Sequence, residues 1–404
     1  MHSTKRILRL FGTLIPSFVA VAGAVVPARA DAQGASVAPT AAQISLVEER
    51  RASFPGTRLV ESVDWYRPLV SVPGGNDTLR EGHRLSPEAS HRLDGFAAQT
   101  DSFALLVARN GQVIHEYYAP GIDRTTRFDT ASMHKAVVAL LVGAAVADGA
   151  IKSIDDPLDR YLTGLPDDGR GRITIRQLLE MRSGLRTPPL SESAASPYWQ
   201  TYFGEDLAWS ISQWPMQPAT ADQFYYANAN TQYLLWVIES ATGQSYRDYL
   251  SRRLWQPIGA QDARLWLDHE GGSPRGFCCL QASGQDWLRI GELIRNHGRW
   301  GTHRLIPARW VTAMMASSAA NPNFGRNLWR GSPYAPARTY GPGIPAVIRS
   351  GQPFVRDDTV FIDGSGGQRV YVIPSERLTI VRIGRPRADW DDSQLPNLVV
   401  GLVQ

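Results

Sequence analysis

Thr130-Ala131-Ser132-Met133-His134-Lys135 places a serine and a lysine three residues apart at the head of a long apolar run. That run holds Val137, Val138, Leu140, Leu141, Ala144, Ala145 and Val146 before Gly149, and its spacing predicts a helix apolar nearly all round, hence a buried one. Positions i and i+3 share a helix face, so the Ser132 hydroxyl and the Lys135 amine are expected side by side. A serine hydroxyl is a weak nucleophile until a base comes within hydrogen-bond reach. Lysine can be that base because burial lowers its pKa, whereas arginine stays charged. The chain has only Lys5, Lys135 and Lys152; every other one of its 42 basic residues is arginine. A helix-capping serine beside a snorkelling lysine is the purely structural alternative.

On the N-terminal side of this stretch a hairpin is predicted. Phe103 to Ala108 is apolar, Asn110-Gly111 is a two-residue turn signal, and Val113 to Tyr118 alternates. On the C-terminal side, Thr174 with Gln177 three residues later forms a capping box ahead of Leu178, Leu179 and Met181. From Thr130 to Ala316 the pattern reads as helices and long connections, with no evident strand. Strand signals return at Val360 to Ile362, Gln368 to Ile373 and Leu378 to Ile383, with Gly364-Ser365-Gly366-Gly367 as a turn, and a last helix is predicted over Pro396 to Val403. Strands at both ends with helices between predict an α+β fold. Residues 61–129 and 317–404 would form an α/β lobe and 130–316 a mainly helical lobe, with the site in the cleft between them. Residues 31–60 read as a flexible leader with one short helix near Ala42 to Arg51.

The first thirty residues differ from the rest. Lys5, Arg6 and Arg9 precede an apolar stretch from Leu10 to Val26, and Ala28-Arg29-Ala30 offers small residues at the cleavage positions. This predicts a signal peptide at 1–30, an exported periplasmic or secreted protein, and no stable membrane insertion after cleavage. The segment carries four basic and no acidic residues, so its removal cancels the net charge of +4 and leaves no basic-patch argument for a nucleic-acid partner. The two cysteines, Cys278 and Cys279, are adjacent; a bridge between them closes a small, strained ring, so free packed thiols are expected. None of the eight histidines falls in a His-x-x-x-His spacing, so no metal or other cofactor is expected. No Gly-x-Ser-x-Gly elbow is present, and no histidine is marked as a triad base.

Phe224-Tyr225-Tyr226-Ala227-Asn228 precedes another helical run. Ser132-x-x-Lys135, then Tyr226-Ala227-Asn228, then a Gly-rich turn between C-terminal strands resembles the serine β-lactamase and penicillin-binding-protein superfamily in its class C-like branch. Within it, the chain is most similar to esterases and aminohexanoate-oligomer hydrolases. The resemblance implies a β-lactamase/transpeptidase-like fold, an antiparallel sheet flanked by helices with a large helical insertion. It implies Ser132 as the acylated nucleophile, Lys135 as the group taking or relaying its proton, Tyr226 as a second acid/base, and Asn228 bonded to Lys135 or to a substrate amide. Where β-lactamases carry Lys-Thr-Gly, the best-aligned residues are Ser365-Gly366-Gly367, and the cation is missing. The N–H of Gln368 would complete an oxyanion hole with that of Ser132.

The function expected is therefore a serine hydrolase acting on a small ester or linear amide. A β-lactamase or D-Ala-D-Ala carboxypeptidase is the alternative within the same chemistry. A catalytically silent peptidoglycan- or ligand-binding module is the alternative of another class. The sequence does not speak to the oligomeric state.

Overall fold

A computed structural model of the protein describes residues 38–403. The expected signal peptide at 1–30 lies outside the described residues. Along the chain, helix α1 (Ala41–Ala52) is followed by β1 (Leu69–Val72), α2 (Pro87–Gln99), β2 (Ser102–Arg109), β3 (Gln112–Tyr118), β4 (Arg127–Asp129) and α3 (His134–Ala147). Then come α4 (Pro197–Phe203), α5 (Asn228–Thr242), β5 (Ala263–Trp266), β6 (Leu280–Ser283), α6 (Gly284–Arg295) and α7 (Ala308–Met315). The C-terminal part holds β7 (Trp329–Arg330), β8 (Val360–Gly364), β9 (Gln368–Ile373), β10 (Leu378–Gly384) and α8 (Gln394–Leu402).

The main sheet is antiparallel throughout, in the order β3-β2-β10-β9-β8-β7. Its two faces follow from the period of two in a strand. Ala104, Leu106, Val370, Val381 and Ile383 join Trp287, Ile290 and Ile294 of α6 in one cluster. The intervening Leu105, Val107, Tyr371, Leu378 and Ile380 join Leu93 of α2 and Leu395 and Val399 of α8 in another. The β2–β3 turn residues Asn110 and Gly111 both have positive φ, 55° and 78°, the backbone that an Asn-Gly hairpin turn demands.

Two expectations about the middle of the chain need correction. Strands β5 and β6 lie inside it, and with β1 and β4 they build a second antiparallel sheet in the order β1-β5-β6-β4. They are short and buried on both sides, so they lack the alternation that reveals a half-buried strand in sequence. Helix α6, numbered within the expected helical lobe, packs on the main sheet and shares the apolar cluster that fills the helical lobe, so one core runs through both lobes. The leader too is partly structured. Thr40 and Gln43 form a capping box at the head of α1, whose Val47 is fully buried.

Helix α3 lies at the centre. All its residues from His134 to Ala145 are buried, as the unbroken apolar run requires. Trp310 of α7 lies across it and donates its indole N–H to the Ala139 carbonyl at 3.0 Å. The ring needs the space at Gly143, where an added Cβ would stand 2.3 Å from Trp310 Cδ1. Gly143→Ala is therefore expected to lower stability by about 1–3 kcal/mol, through overpacking that outweighs the better helix propensity of alanine. Urea denaturation of the two proteins measures this; equal or greater stability of the variant would contradict it.

Candidate active site

Strand β4 delivers the chain directly into a 3-10 turn, Ala131–Met133, from which α3 continues. Ser132 sits in this turn and caps nothing; Met133 is the N-cap of α3 and makes no side-chain cap bond. Ala131 has φ +50°, a left-handed conformation uncommon for a residue with a Cβ. Buried Asp129 holds it, its Oδ1 accepting the Ala131 N–H at 3.1 Å. Burial pushes the Asp129 carboxyl up to about 7, and the Ala131 bond offsets this only in part.

One turn later, Lys135 Nζ stands 2.7 Å from Ser132 Oγ and donates to the Phe277 carbonyl at 2.6 Å. The small sheet makes the second contact possible. Pairing of β4 with β6, Asp129 opposite Gln281, carries the segment before β6 past the start of α3. The Lys135 side chain is fully enclosed, and desolvation lowers its pKa from 10.5 to about 7, with the Asp363 carboxylate pulling the other way. Its neighbour His134 is structural. Nδ1 is 2.8 Å from the Cys278 carbonyl, which can only accept, so Nδ1 carries the proton and Nε2 accepts from the Tyr246 hydroxyl at 2.7 Å. Burial lowers the His134 pKa to about 4 and keeps the ring neutral.

Cys278 and Cys279 correct another expectation: they are joined to each other rather than free. Cys279 takes φ +72°, and this left-handed residue turns the chain tightly enough to bring adjacent sulfurs together.

Tyr226 enters the site at the end of an extended segment, just before α5. Its ring centroid is 4.9 Å from Lys135 Nζ, and its N–H donates to the Tyr340 carbonyl at 2.7 Å. The residue is half-buried, yet desolvation drives its phenol far above the ordinary range. Asp363 adds to that rise, and a hydrogen bond with Ser132 reverses only part of it. Tyr226 is therefore a neutral phenol at neutral pH. Asn228 does not bond Lys135; its amide donates to the Tyr202 hydroxyl of α4 at 2.8 Å.

The turn at Ser365-Gly366-Gly367 is set out differently from the expected alignment. A Cβ on Gly366 would meet Pro386, and one on Gly367 would meet Trp390, so both positions require glycine for packing. The Gln368 side chain ties β9 to β10, donating to the Gly384 carbonyl at 2.8 Å and accepting the Gly384 N–H at 2.9 Å. Gly364 is the residue that abuts the Ser132 turn; a Cβ there would lie 2.3 Å from the Thr130 carbonyl oxygen and 3.0 Å from Met133 Cγ. The strand end facing Ser132 is thus Ile362-Asp363-Gly364, with exposed Ser365 next.

Sequence reasoning missed Asp363 and Arg369, which face each other across β8 and β9. Arg369 Nη1 is 2.6 Å from Asp363 Oδ1, and the other carboxylate oxygen accepts the Tyr340 hydroxyl at 2.6 Å. A signal was present. Each is a lone charge in a β-favouring run, and each stands three residues from Gly366, the centre of the turn. Among the described residues no group of His, Cys, Asp and Glu could hold a metal ion, and no helix is long and apolar enough to cross a membrane.

The sequence profile of the Beta-lactamase family matches residues 89–384. The chain belongs to the beta-lactamase family. It is 26% identical over 245 residues to the 6-aminohexanoate-dimer hydrolase of Paenarthrobacter ureafaciens, a match covering 58% of this chain and 61% of that protein, so under two thirds of the relative is spanned. Its fold is that of a Bacillus anthracis protein provisionally assigned as a 6-aminohexanoate-dimer hydrolase, with a TM-score of 0.70, 16% identity and coverage of 91% of this chain and 97% of the other. A class C beta-lactamase from Rhodobacter sphaeroides superposes with a TM-score of 0.57 at 16% identity, covering 79% of this chain and 99% of that one. This beta-lactamase-family chain accordingly has a beta-lactamase/transpeptidase-like fold of helices and antiparallel sheets.

Proposed function

We propose that the protein is an exported hydrolase that forms an acyl-enzyme on small esters or linear amides. The observation that carries this reading is the 2.7 Å approach of a fully buried Lys135 amine to the Ser132 hydroxyl. With its pKa near 7, Lys135 is substantially neutral at physiological pH and takes the Oγ proton as Oγ attacks the substrate carbonyl. Tyr226, held as a phenol, gives its proton to the departing alkoxide or amine and recovers one from Lys135. Water then repeats the sequence on the acyl-enzyme, with Lys135 again as base, and frees Ser132. The developing oxyanion lies between the N–H of Ser132 and that of Ser365, the first amide beyond the glycine that touches the nucleophile turn.

The surroundings favour a simple acyl group over a β-lactam. At the strand end beside Ser132 stands Asp363, a carboxylate, and the nearby Arg369 is already engaged by Asp363 and Asp392. Among the described residues, that strand end offers no free cation to a substrate carboxylate. The relative named for a dimer of 6-aminohexanoate supports the linear-amide half of the reading, since two amino acids are joined by such an amide.

Intact-protein mass spectrometry after incubation with a short-chain ester, a linear amide and a penicillin is expected to show an acyl adduct from the first two, located on Ser132. A penicillin adduct alone would move the reading to a β-lactamase or carboxypeptidase, and no adduct from any compound to a silent binding module. The pH dependence follows from Lys135. On a non-ionising ester, kcat/KM should rise about tenfold per pH unit below pH 7 and level off above it, because the base is the unprotonated amine. A flat profile from pH 5 to 8 would remove Lys135 from that role.

A further inference from the structure

Arg369 is an expensive residue to bury. Its side chain is 5% exposed, and burial of an ion pair is often no better for stability than apolar packing of equal volume. One end of its guanidinium nevertheless serves the turn that borders the nucleophile. Nη1 donates to the carbonyls of Gly364 and Gln368, both at 2.9 Å, which are the two residues paired at the mouth of the turn. On the other side of the guanidinium, Nε and Nη2 bond the two oxygens of Asp392 at 2.5 and 3.0 Å. Asp392 is itself held by the Tyr371 hydroxyl at 2.9 Å, and Asp363 flanks Nη1. The guanidinium is clamped between two carboxylates and cannot swing.

The consequence lies in the Gly364–Ser365 peptide. This bond is trans, so its C=O and N–H point in opposite directions. A carbonyl captured by Arg369 leaves the Ser365 N–H aimed away from the guanidinium. Gly364 lies against Thr130 and Met133, on either side of Ser132. Gly364, with no Cβ, sets little steric barrier of its own to the orientation of this peptide.

We propose that Arg369 is the positioning residue of the oxyanion hole, fixing the Gly364 carbonyl so that the Ser365 N–H faces the oxygen of the substrate carbonyl attacked by Ser132. The proposal rests on Ser132 being the nucleophile. Arg369 touches no substrate; its effect passes through one peptide plane. Loss of one oxyanion-hole donor costs about 10²–10³ in kcat, and a donor free to rotate should forfeit much of this.

The test compares the wild type with Arg369→Lys, Arg369→Met and Ser365→Pro. The first two remove the Nη1 that donates to both carbonyls and the third removes the amide hydrogen itself. Ester turnover and inhibition by phenylboronic acid, whose adduct on serine is tetrahedral, are the readouts. All three variants should lose about 10²-fold in kcat and in boronic-acid affinity together, with KM within about threefold of wild type. A purely structural role would lower Tm without this parallel loss. Folded Arg369 variants that keep both quantities within about threefold of wild type would overturn the proposal, as would a Ser365→Pro variant that does so. Should the Arg369 variants not fold, Asp392→Asn decides, since it keeps the guanidinium but frees its outer anchor. Weaker boronic-acid binding at unchanged KM supports the proposal, and wild-type values for both end it. Labelling in the wild type at a residue other than Ser132 would refute the nucleophile assignment and with it the proposal. Labelling at Ser132 with unaffected Arg369 variants refutes the positioning role alone.

Discussion

Ser132→Ala is expected to abolish ester hydrolysis, lowering kcat by about 10⁴- to 10⁶-fold, and to abolish labelling by a fluorophosphonate. The side chain is small and sits in a turn that does not depend on it, since Ser132 makes no cap bond and the turn is held from Asp129. The variant should fold as the wild type does, so its loss of activity can be assigned to chemistry. Retained turnover or labelling would mean that another residue is acylated. His134 does not compensate as a base, because both ring nitrogens are committed to Cys278 and Tyr246.

Lys135→Met should cost about 10²–10⁴ in kcat, the range of a positioned general base, and should remove the rise of kcat/KM through pH 7. It also carries a stability signature. The unfolded chain keeps the Lys135 proton up to about pH 10.5, and the folded protein only up to about 7. Between these values unfolding takes up a proton, so the residue's contribution to stability rises with pH from about 7 and levels near 10.5. Below that window both states are protonated, and the whole cost of enclosing the ammonium falls on the native state. The Tm of wild type relative to Lys135→Met should therefore climb as pH rises from 7 to 10. A difference in Tm independent of pH would show that Lys135 titrates at an ordinary value in the folded protein.

The helix carrying the site was legible because a fully buried helix needs an unbroken apolar sequence, and Val137 to Val146 has one. The β2–β3 hairpin was legible because Asn-Gly suits two successive positive φ angles better than other pairs do. The small sheet was not. Its strands are two to four residues long in their pairing, too short for an alternation to mark them. Which glycine of the turn abuts Thr130 was not legible either. Gly364 and Gly366 to Gly367 look alike in sequence, and only packing distinguishes the glycine that touches Thr130 from those that touch Pro386 and Trp390.

Sequence alone determined the identity of the pair, Ser132 and Lys135, because a spacing of three along one helix is a local property of the chain. It determined the strand-helix-strand order for the same reason. Only the tertiary structure decided what those residues can do. The pKa of Lys135 is set by its burial beside Phe277 and Tyr226; the protonation of Tyr226 by burial, with Asp363, 137 positions away, adding to it; and the direction of the Ser365 amide by Arg369 across a hairpin. Desolvation and charge act through space, over distances that separation along the chain does not encode.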